Sequence, residues 1–257
     1  MLEVKNLTFA YGDHLVLDDI SFSLDKGEMI AVLGANGAGK STMFRCILGL
    51  FRKYQGDVLF GGKSVLEMSR RELAKSAAYI PQAEAPVFNY TVMDTVLMGT
   101  TGTLSPVSAP GEDQIQVAKD SLCALGIDHL AERGIQEISG GERQLAFLAR
   151  ALAQQSGLFV MDEPTANLDY GNQQLVLRHV KKLTDEGYTV LMSTHNPEHA
   201  LQYASKVMIL KDRELFAYGD AADVLTEETI EQVYGMRVVI IHKEIEGKEI
   251  RSCIPVP

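Results

Sequence analysis

The sequence predicts an α/β fold: a mixed, mostly parallel sheet covered by helices, with an antiparallel β layer at its N-terminal end and an inserted α-helical subdomain. Three observations predict it. Short apolar or β-branched runs alternate with amphipathic stretches along most of the chain, as they do where parallel strands are buried between helices. Residues 2–33 instead give three strand-like runs in succession, which is the pattern of an antiparallel layer. Residues 91–157 show long helical periodicity and no strand pattern.

In chain order, residues 2–9, 15–24 and 28–33 read as strands separated by the turns Tyr11-Gly12-Asp13 and Asp25-Lys26-Gly27. A helical pattern runs from near Lys40 to about Gly49, a strand follows Gln55-Gly56-Asp57, and another ends at Tyr79-Ile80-Pro81. The helical stretch from Thr91 to about Gly157 is interrupted at residues 99–111 by a loop rich in Thr, Ser, Pro and Gly, and its last helix reads as 142–155. Strands resume at 158–161, 188–193 and 206–210, with helices between. The chain ends in a helix pattern and two strand runs, 236–242 and 248–254, around Glu246-Gly247, a hairpin signal. The expected organisation is therefore one domain over residues 1–220, with the helical insert at about 91–157, and a short extension over 221–257.

Composition narrows the function classes. With 46% hydrophobic and 23% charged residues, the chain of 257 residues has the make-up of a folded domain rather than a disordered one. The balance of 24 Lys+Arg against 34 Asp+Glu leaves a net charge of −10, which argues against a general nucleic-acid surface, since phosphate backbones need clustered cations. No apolar run approaches the roughly 20 residues of a membrane span. The start Met1-Leu2-Glu3-Val4-Lys5 lacks the features of a signal peptide, so a cytoplasmic location is expected, with any membrane role arising through a partner. Cys46, Cys123 and Cys253 show no CxxC spacing and read as free thiols.

Three segments carry chemistry. Gly34-Ala35-Asn36-Gly37-Ala38-Gly39-Lys40-Ser41 fits GxxxxGK[ST] and sits between an apolar strand and a helix start. In such a loop the glycines turn backbone N–H groups inward around phosphates, the lysine reaches the β and γ phosphates, and the hydroxyl of Ser41 ligates Mg²⁺. The alternative, a glycine-rich turn with no ligand, leaves the lysine and hydroxyl unexplained. The apolar run Leu158–Met161 ends in Asp162-Glu163, the arrangement that holds Mg²⁺ with one acid and orients an attacking water with the other, although strands also end in acidic turns for no chemical reason. Ile138-Ser139-Gly140-Gly141-Glu142-Arg143-Gln144 reads in isolation as an N-cap serine before an amphipathic helix.

Taken in order with Gln82, Asn167-Leu168-Asp169 and His195, these segments resemble the ATP-binding-cassette (ABC) ATPases, P-loop NTPases, over nearly the whole chain, from about Leu2 to Asp220. The resemblance implies a role for each position. Tyr11 is similar to the aromatic that stacks on adenine. Gly34, Ala35, Asn36, Gly37, Ala38, Gly39, Lys40, Ser41 and Thr42 correspond to the Walker A loop. Gln82 corresponds to the glutamine that senses γ-phosphate and Mg²⁺. Ser139, Gly140, Gly141 and Glu142 match the LSGGQ signature that acts in trans, with Ile138 for leucine and Glu142 for the usual glutamine. Asp162 and Glu163 match the Walker B acids, Asp169 the D-loop and His195 the switch histidine. ATP and Mg²⁺ are the implied cofactors, with Ser41, Gln82 and Asp162 around the metal. Lys40, Glu163 and His195 are the implied catalytic set.

One chain holds one phosphate loop and one signature, so the family's two-chain site implies a homodimer. The segment from Val87 to Gly99, with Phe88 and Tyr90, together with Asn167-Leu168-Asp169-Tyr170-Gly171-Asn172-Gln173, is similar to the ATPase subunits of importers for iron–siderophore, haem, cobalamin and molybdate. Core packing is the plainer account of these apolar residues. The importer resemblance implies integral membrane permease subunits on the inner face of the membrane, an extracytoplasmic binding protein, and no nucleic acid. Rival readings are a translation-associated or DNA-repair ATPase of the same superfamily, or a nucleotide-dependent switch. Gln82 and Ser139 lie 57 positions apart without heptads, which leaves no room for the repair proteins' coiled coil.

Overall fold

The computed structural model describes residues 1–82, 88–103, 109–245 and 248–256. Val87, part of the expected loop at 99–111, and the expected hairpin turn at Glu246-Gly247 lie outside the described residues. The chain forms two compact units, Met1–Glu67 with Thr189–Pro257, and Met68–Tyr188. The first unit opens with β1 (Leu2–Tyr11), β2 (His14–Leu24), β3 (Met29–Leu33), α1 (Lys40–Ile47), β4 (Gln55–Phe60) and β5 (Lys63–Ser64). The second contains α2 (Arg70–Ser76), β6 (Ala77–Ile80), α3 (Val92–Thr100), α4 (Glu112–Ala124), α5 (Gly140–Ala153), β7 (Leu158–Met161) and α6 (Tyr170–Asp185). The chain then returns to the first unit with β8 (Thr189–Ser193), α7 (Pro197–Tyr203), β9 (Lys206–Lys211), β10 (Glu214–Asp220), α8 (Ala221–Val224), α9 (Glu227–Tyr234), β11 (Val238–Ile245) and β12 (Lys248–Pro255).

In the first unit, β2-β1-β4-β5 forms the antiparallel layer expected at the N-terminus, but only the first two of the three expected runs belong to it. The third, β3, joins the parallel strands, and β4 and β5 complete the layer. Leu2, Val4, Leu7 and Phe9 of β1 are buried, so the inward face slips by one residue between Val4 and Leu7. A register shift there puts Asn6 at φ 49°, and its Nδ2 donates to Asp19 Oδ1 at 2.6 Å. Gly56 faces this bulge, and a Cβ on it would collide with the carbonyls of Lys5 and Asn6. Gln55-Gly56-Asp57 is accordingly the start of β4 rather than a turn before it.

β3 lies between β9 and β8, parallel to both, with Ile30 opposite Leu191 and Lys206. All five of its residues are buried, as expected of a strand covered on both faces. Lys206 Nζ lies 2.6 Å from Glu28 Oε1, and Ser205 Oγ donates to Met29 O at 2.9 Å, which pins the start of β3 to β9. Val224, Leu225, Ile230 and Val238 share one core with Ala31 and Leu33 of β3 and Val207 and Ile209 of β9. Cys46 is fully buried within α1, and that burial pushes its thiol up to about 12.

In the second unit, β6 and β7 pair in parallel, with Ile80 opposite Met161. Helices α3 and α4 pack on α5, and Gly99 is needed in α3 because a Cβ would meet the carbonyl of Arg150. Gln154 Nε2 donates to Ala77 O at 2.9 Å and Phe159 stacks on Tyr188 at 5.0 Å, tying helix ends to the strands.

Candidate functional site

The loop between β3 and α1 is built on glycines whose positive φ an L side chain adopts only under strain. Gly39 has φ 98°, and a Cβ there would lie 2.7 Å from Leu17 Cδ2 and 3.1 Å from Val16 O. Gly34, at φ 147°, backs onto the carbonyl of Leu210. Ala35, Asn36 and Gly37 between them are exposed. Lys40 is 6% exposed, and its Nζ donates to Gly34 O at 2.8 Å and Ala35 O at 3.3 Å. The ammonium is thus folded inside the loop whose N–H groups would meet a phosphate. No acidic residue occupies the first turn of α1, so the helix N-terminus keeps its positive potential for an anion.

Tyr11 stands beside this loop, its hydroxyl 3.4 Å from Thr42 Oγ1. Its ring is 46% exposed and is held edge-on by Phe9 and Phe51, which stack on each other at 5.1 Å. That is a supported aromatic face open to a planar ligand. His195 follows β8, and Thr194 N donates to Val32 O at 3.0 Å, so the exposed histidine leaves the sheet at the end from which the glycine loop departs. Asn196 next to it caps α7 by accepting from Glu198 N at 2.9 Å.

The second unit carries the carboxylates and the signature. Asp162 N donates to Ile80 O at 2.9 Å, so Asp162 and Gln82 leave β7 and β6 at the same end of the strand pair. Glu163, half-buried, has φ 47°, a left-handed conformation that costs a non-glycine residue energy. Ala166 N closes the turn onto Glu163 O at 3.0 Å.

Helix α5 begins at Gly140 and ends at Ala153, two residues ahead of the expected span at both ends, because Ser139 caps it and Glu142 completes a capping box. Ser139 N donates to Glu142 Oε2 at 2.8 Å, and Glu142 N donates to Ser139 Oγ at 3.3 Å. The bond from Ser139 N to the Glu142 carboxylate, together with one from the Ser139 side chain, holds that carboxyl below its ordinary range. Ser139 and Gly140 remain exposed. Gly141 is buried, with the Asn172 side chain where a Cβ would sit. Asn172 in turn donates through N and Nδ2 to the two oxygens of Asp169, at 2.9 and 2.7 Å, and these bonds depress the Asp169 carboxyl. Asn172 therefore joins the signature to Asp169, a contact that no spacing rule in the sequence reveals.

The donors fit the groups they would hold. Among the described residues no three His, Cys, Asp or Glu side chains converge as a metal cluster. Gln82 and Asp162, at the same end of the strand pair in the second unit, offer hard oxygen donors, as the Ser41 hydroxyl does in the first. Donors of this kind suit Mg²⁺, an ion that normally completes its shell with water and substrate phosphate. The exposed N–H groups of the loop, with a buried lysine behind them, suit a triphosphate.

The model of the ABC transporter family matches residues 17–166. This chain belongs to the ABC transporter family. It is an ATPase and the ATP-binding component of such a system. Among relatives of this ABC cassette, the iron chelatin transport ATP-binding protein of Helicobacter pylori is 36% identical over 91% of this chain and 92% of its own. The manganese transport system ATP-binding protein MntB of Halalkalibacterium halodurans is 36% identical over 96% of each chain. A solved structure of a metal-chelate type ABC transporter in an inward-facing conformation superposes with TM-score 0.88 at 30% identity, covering 100% of this chain and 97% of that one. No helix among the described residues is long and apolar enough to cross a membrane.

Proposed function

We propose that this cassette powers an importer as a homodimer that clamps two ATP molecules between a phosphate loop of one copy and the signature of the other. The observation that carries this reading is that a single chain presents both half-sites to solvent: Ala35, Asn36 and Gly37 in the glycine loop, and Ser139 with Gly140 at the start of α5. Each half is too sparse to enclose a triphosphate, and a second copy supplies the missing one.

In this reading Tyr11 stacks on the adenine and Lys40 exchanges its loop carbonyls for the β and γ phosphate oxygens. Ser139 Oγ and the N–H groups of Gly140 and Gly141 take the γ-phosphate of the partner's nucleotide. Glu163 accepts a proton from the attacking water, and its left-handed backbone fixes where that carboxylate points. His195 donates to the γ-phosphate and steadies the water. Ser41, Gln82 and Asp162 would hold Mg²⁺, which supplies charge neutralisation on the β and γ oxygens. Asp169 sets the signature through Asn172.

Phe88 (65% exposed) and Tyr90 (48%) form the surface that receives a cytoplasmic helix of the permease. The resemblance to a metal-chelate type transporter, together with the iron chelatin relative, favours a metal chelate as cargo, delivered by an extracytoplasmic binding protein. The cassette would then work at the inner face of the membrane.

The deciding experiment is Glu163→Gln. The variant is expected to bind MgATP with unchanged affinity, to release phosphate at least about a thousandfold more slowly, and to elute as a dimer only with nucleotide. Normal turnover would remove Glu163 from its role, and a monomer at saturating MgATP would remove the clamp.

A further inference from the structure

The turn that delivers Ser139 is fastened to the segment carrying Phe88 and Tyr90 by backbone bonds and by the side chain of Asn89. Asn89 Oδ1 accepts from Gln136 N at 3.0 Å, and Asn89 Nδ2 donates to Glu137 Oε1 at 3.2 Å. The other oxygen of Glu137 accepts from Gly134 N at 3.3 Å, while Glu137 N donates to Gly134 O at 2.9 Å, so the carboxylate closes the turn from inside. Gly134 is buried beneath Asn89, and a Cβ at this glycine would run into the Asn89 amide. The backbones are also joined, Ile135 N to Tyr90 O at 2.8 Å and Val92 N to Arg133 O at 2.9 Å.

From this turn the linkage runs on to the signature helix. Arg143, in the first turn of α5, donates through Nε to Ile135 O at 3.1 Å and through an Nη to Ile138 O at 3.3 Å. Ser139 follows directly. Its position is therefore bounded by the helix it caps on one side and by the Asn89-held turn on the other.

We propose that Asn89 is a positioning residue for ATP hydrolysis: it locks the turn at residues 134–137, and so fixes Ser139 relative to the exposed Phe88–Tyr90 surface. A push on that surface reaches the signature through the Asn89 amide and Arg143 without passing through the nucleotide. The proposal rests on the reading of Ser139 as a γ-phosphate ligand in trans.

Its test uses the purified protein, with MgATP hydrolysis followed against ATP concentration and ATP affinity measured separately by calorimetry. Asn89→Asp keeps the acceptor for Gln136 N but sets a carboxylate against Glu137, and kcat is expected to fall about tenfold while the ATP Kd stays within about twofold. Adding Glu137→Gln reverses donor and acceptor, restores every bond of the turn, and should return kcat to within about threefold of the parent. Gly134→Ala, which displaces the Asn89 amide, should cause a similar loss. In an Asn89→Ala background it should add nothing, since the atoms it strikes are gone.

An unchanged kcat in Asn89→Asp, failure of Glu137→Gln to restore it, or a parallel weakening of ATP binding would overturn the proposal. Ser139→Ala separates the two levels. If it retains ATP but not turnover while Asn89→Asp is fully active, only the positioning role falls. If Ser139→Ala hydrolyses at the parental rate, the trans reading of the signature falls with it.

Discussion

His199 is 3% exposed in α7, and its Nδ1 has no hydrogen-bond partner among the described residues. Burial holds its pKa below the ordinary 6.5, with the nearby His195 adding to the effect and Glu198 opposing it. The sign of the consequence follows. Below 6.5 the unfolded chain gains a proton that the folded chain refuses, so the stability contributed by neutral His199 is complete above that pH and declines as pH falls. His199→Gln is expected to flatten the loss of urea stability between about pH 7.5 and about pH 5.5. An identical slope in the variant would show that other groups carry the acid sensitivity. At this scale most of the candidate site is legible as a set of expectations, because Lys40, Ser41, Asp162 and Glu163 belong to strings whose residue types the chemistry dictates. The roles of Asn172 and Asn89 are not. Each acts through a side-chain amide placed by tertiary contact, and an asparagine in a polar stretch looks the same whether it clamps a turn or faces water.

The element scale turns on how strands hand over to helices. The β3–α1 loop works only because Gly39 adopts φ 98° against Leu17 and Val16. Gly39→Ala is therefore expected to lower stability by about 1–2 kcal/mol and to weaken ATP binding at least about tenfold, measured by denaturant titration and calorimetry. A variant that binds normally would mean that the loop tolerates a rearranged backbone. The sequence placed β3, α1 and β7 well, since buried parallel strands are continuous apolar runs. It missed β10, whose hairpin turn puts Asp212 at φ 50° and Arg213 at φ 77° without any glycine or asparagine to announce it. It also missed α2, although Ser69-Arg70-Arg71-Glu72 forms a capping box that the S-x-x-E pattern could have revealed. The start of α5 was placed late because Gly140 and Gly141 look like helix breakers. In the first helical turn the N–H groups need no intrahelical partner, so glycine is tolerated there once Ser139 and Glu142 cap the helix.

At the scale of the whole molecule, a net charge of −10 is compatible with the proposed phosphate site, because there a nucleotide would meet N–H groups, Lys40 and a helix N-terminus at close range. The global sum argues against partners that bind by field, while the local array suits one that binds by shape. The extension expected after residue 220 adds its apolar residues to the same core as β3 and β9. This packing could not be read from its sequence, because a short helix and a hairpin look alike whether they dock on their own chain or on another.

The thiol buried in α1 makes the phosphate loop's own opening observable. With Cys123→Ser and Cys253→Ser in place, an alkylating reagent can react only at Cys46, and only in molecules whose first helix has come away from its core. The rate of that reaction counts excursions of the nucleotide cradle, and saturating MgATP is expected to slow it in proportion to the cradle's occupancy. A rate indifferent to nucleotide would mean that the helix and the loop preceding it come apart independently.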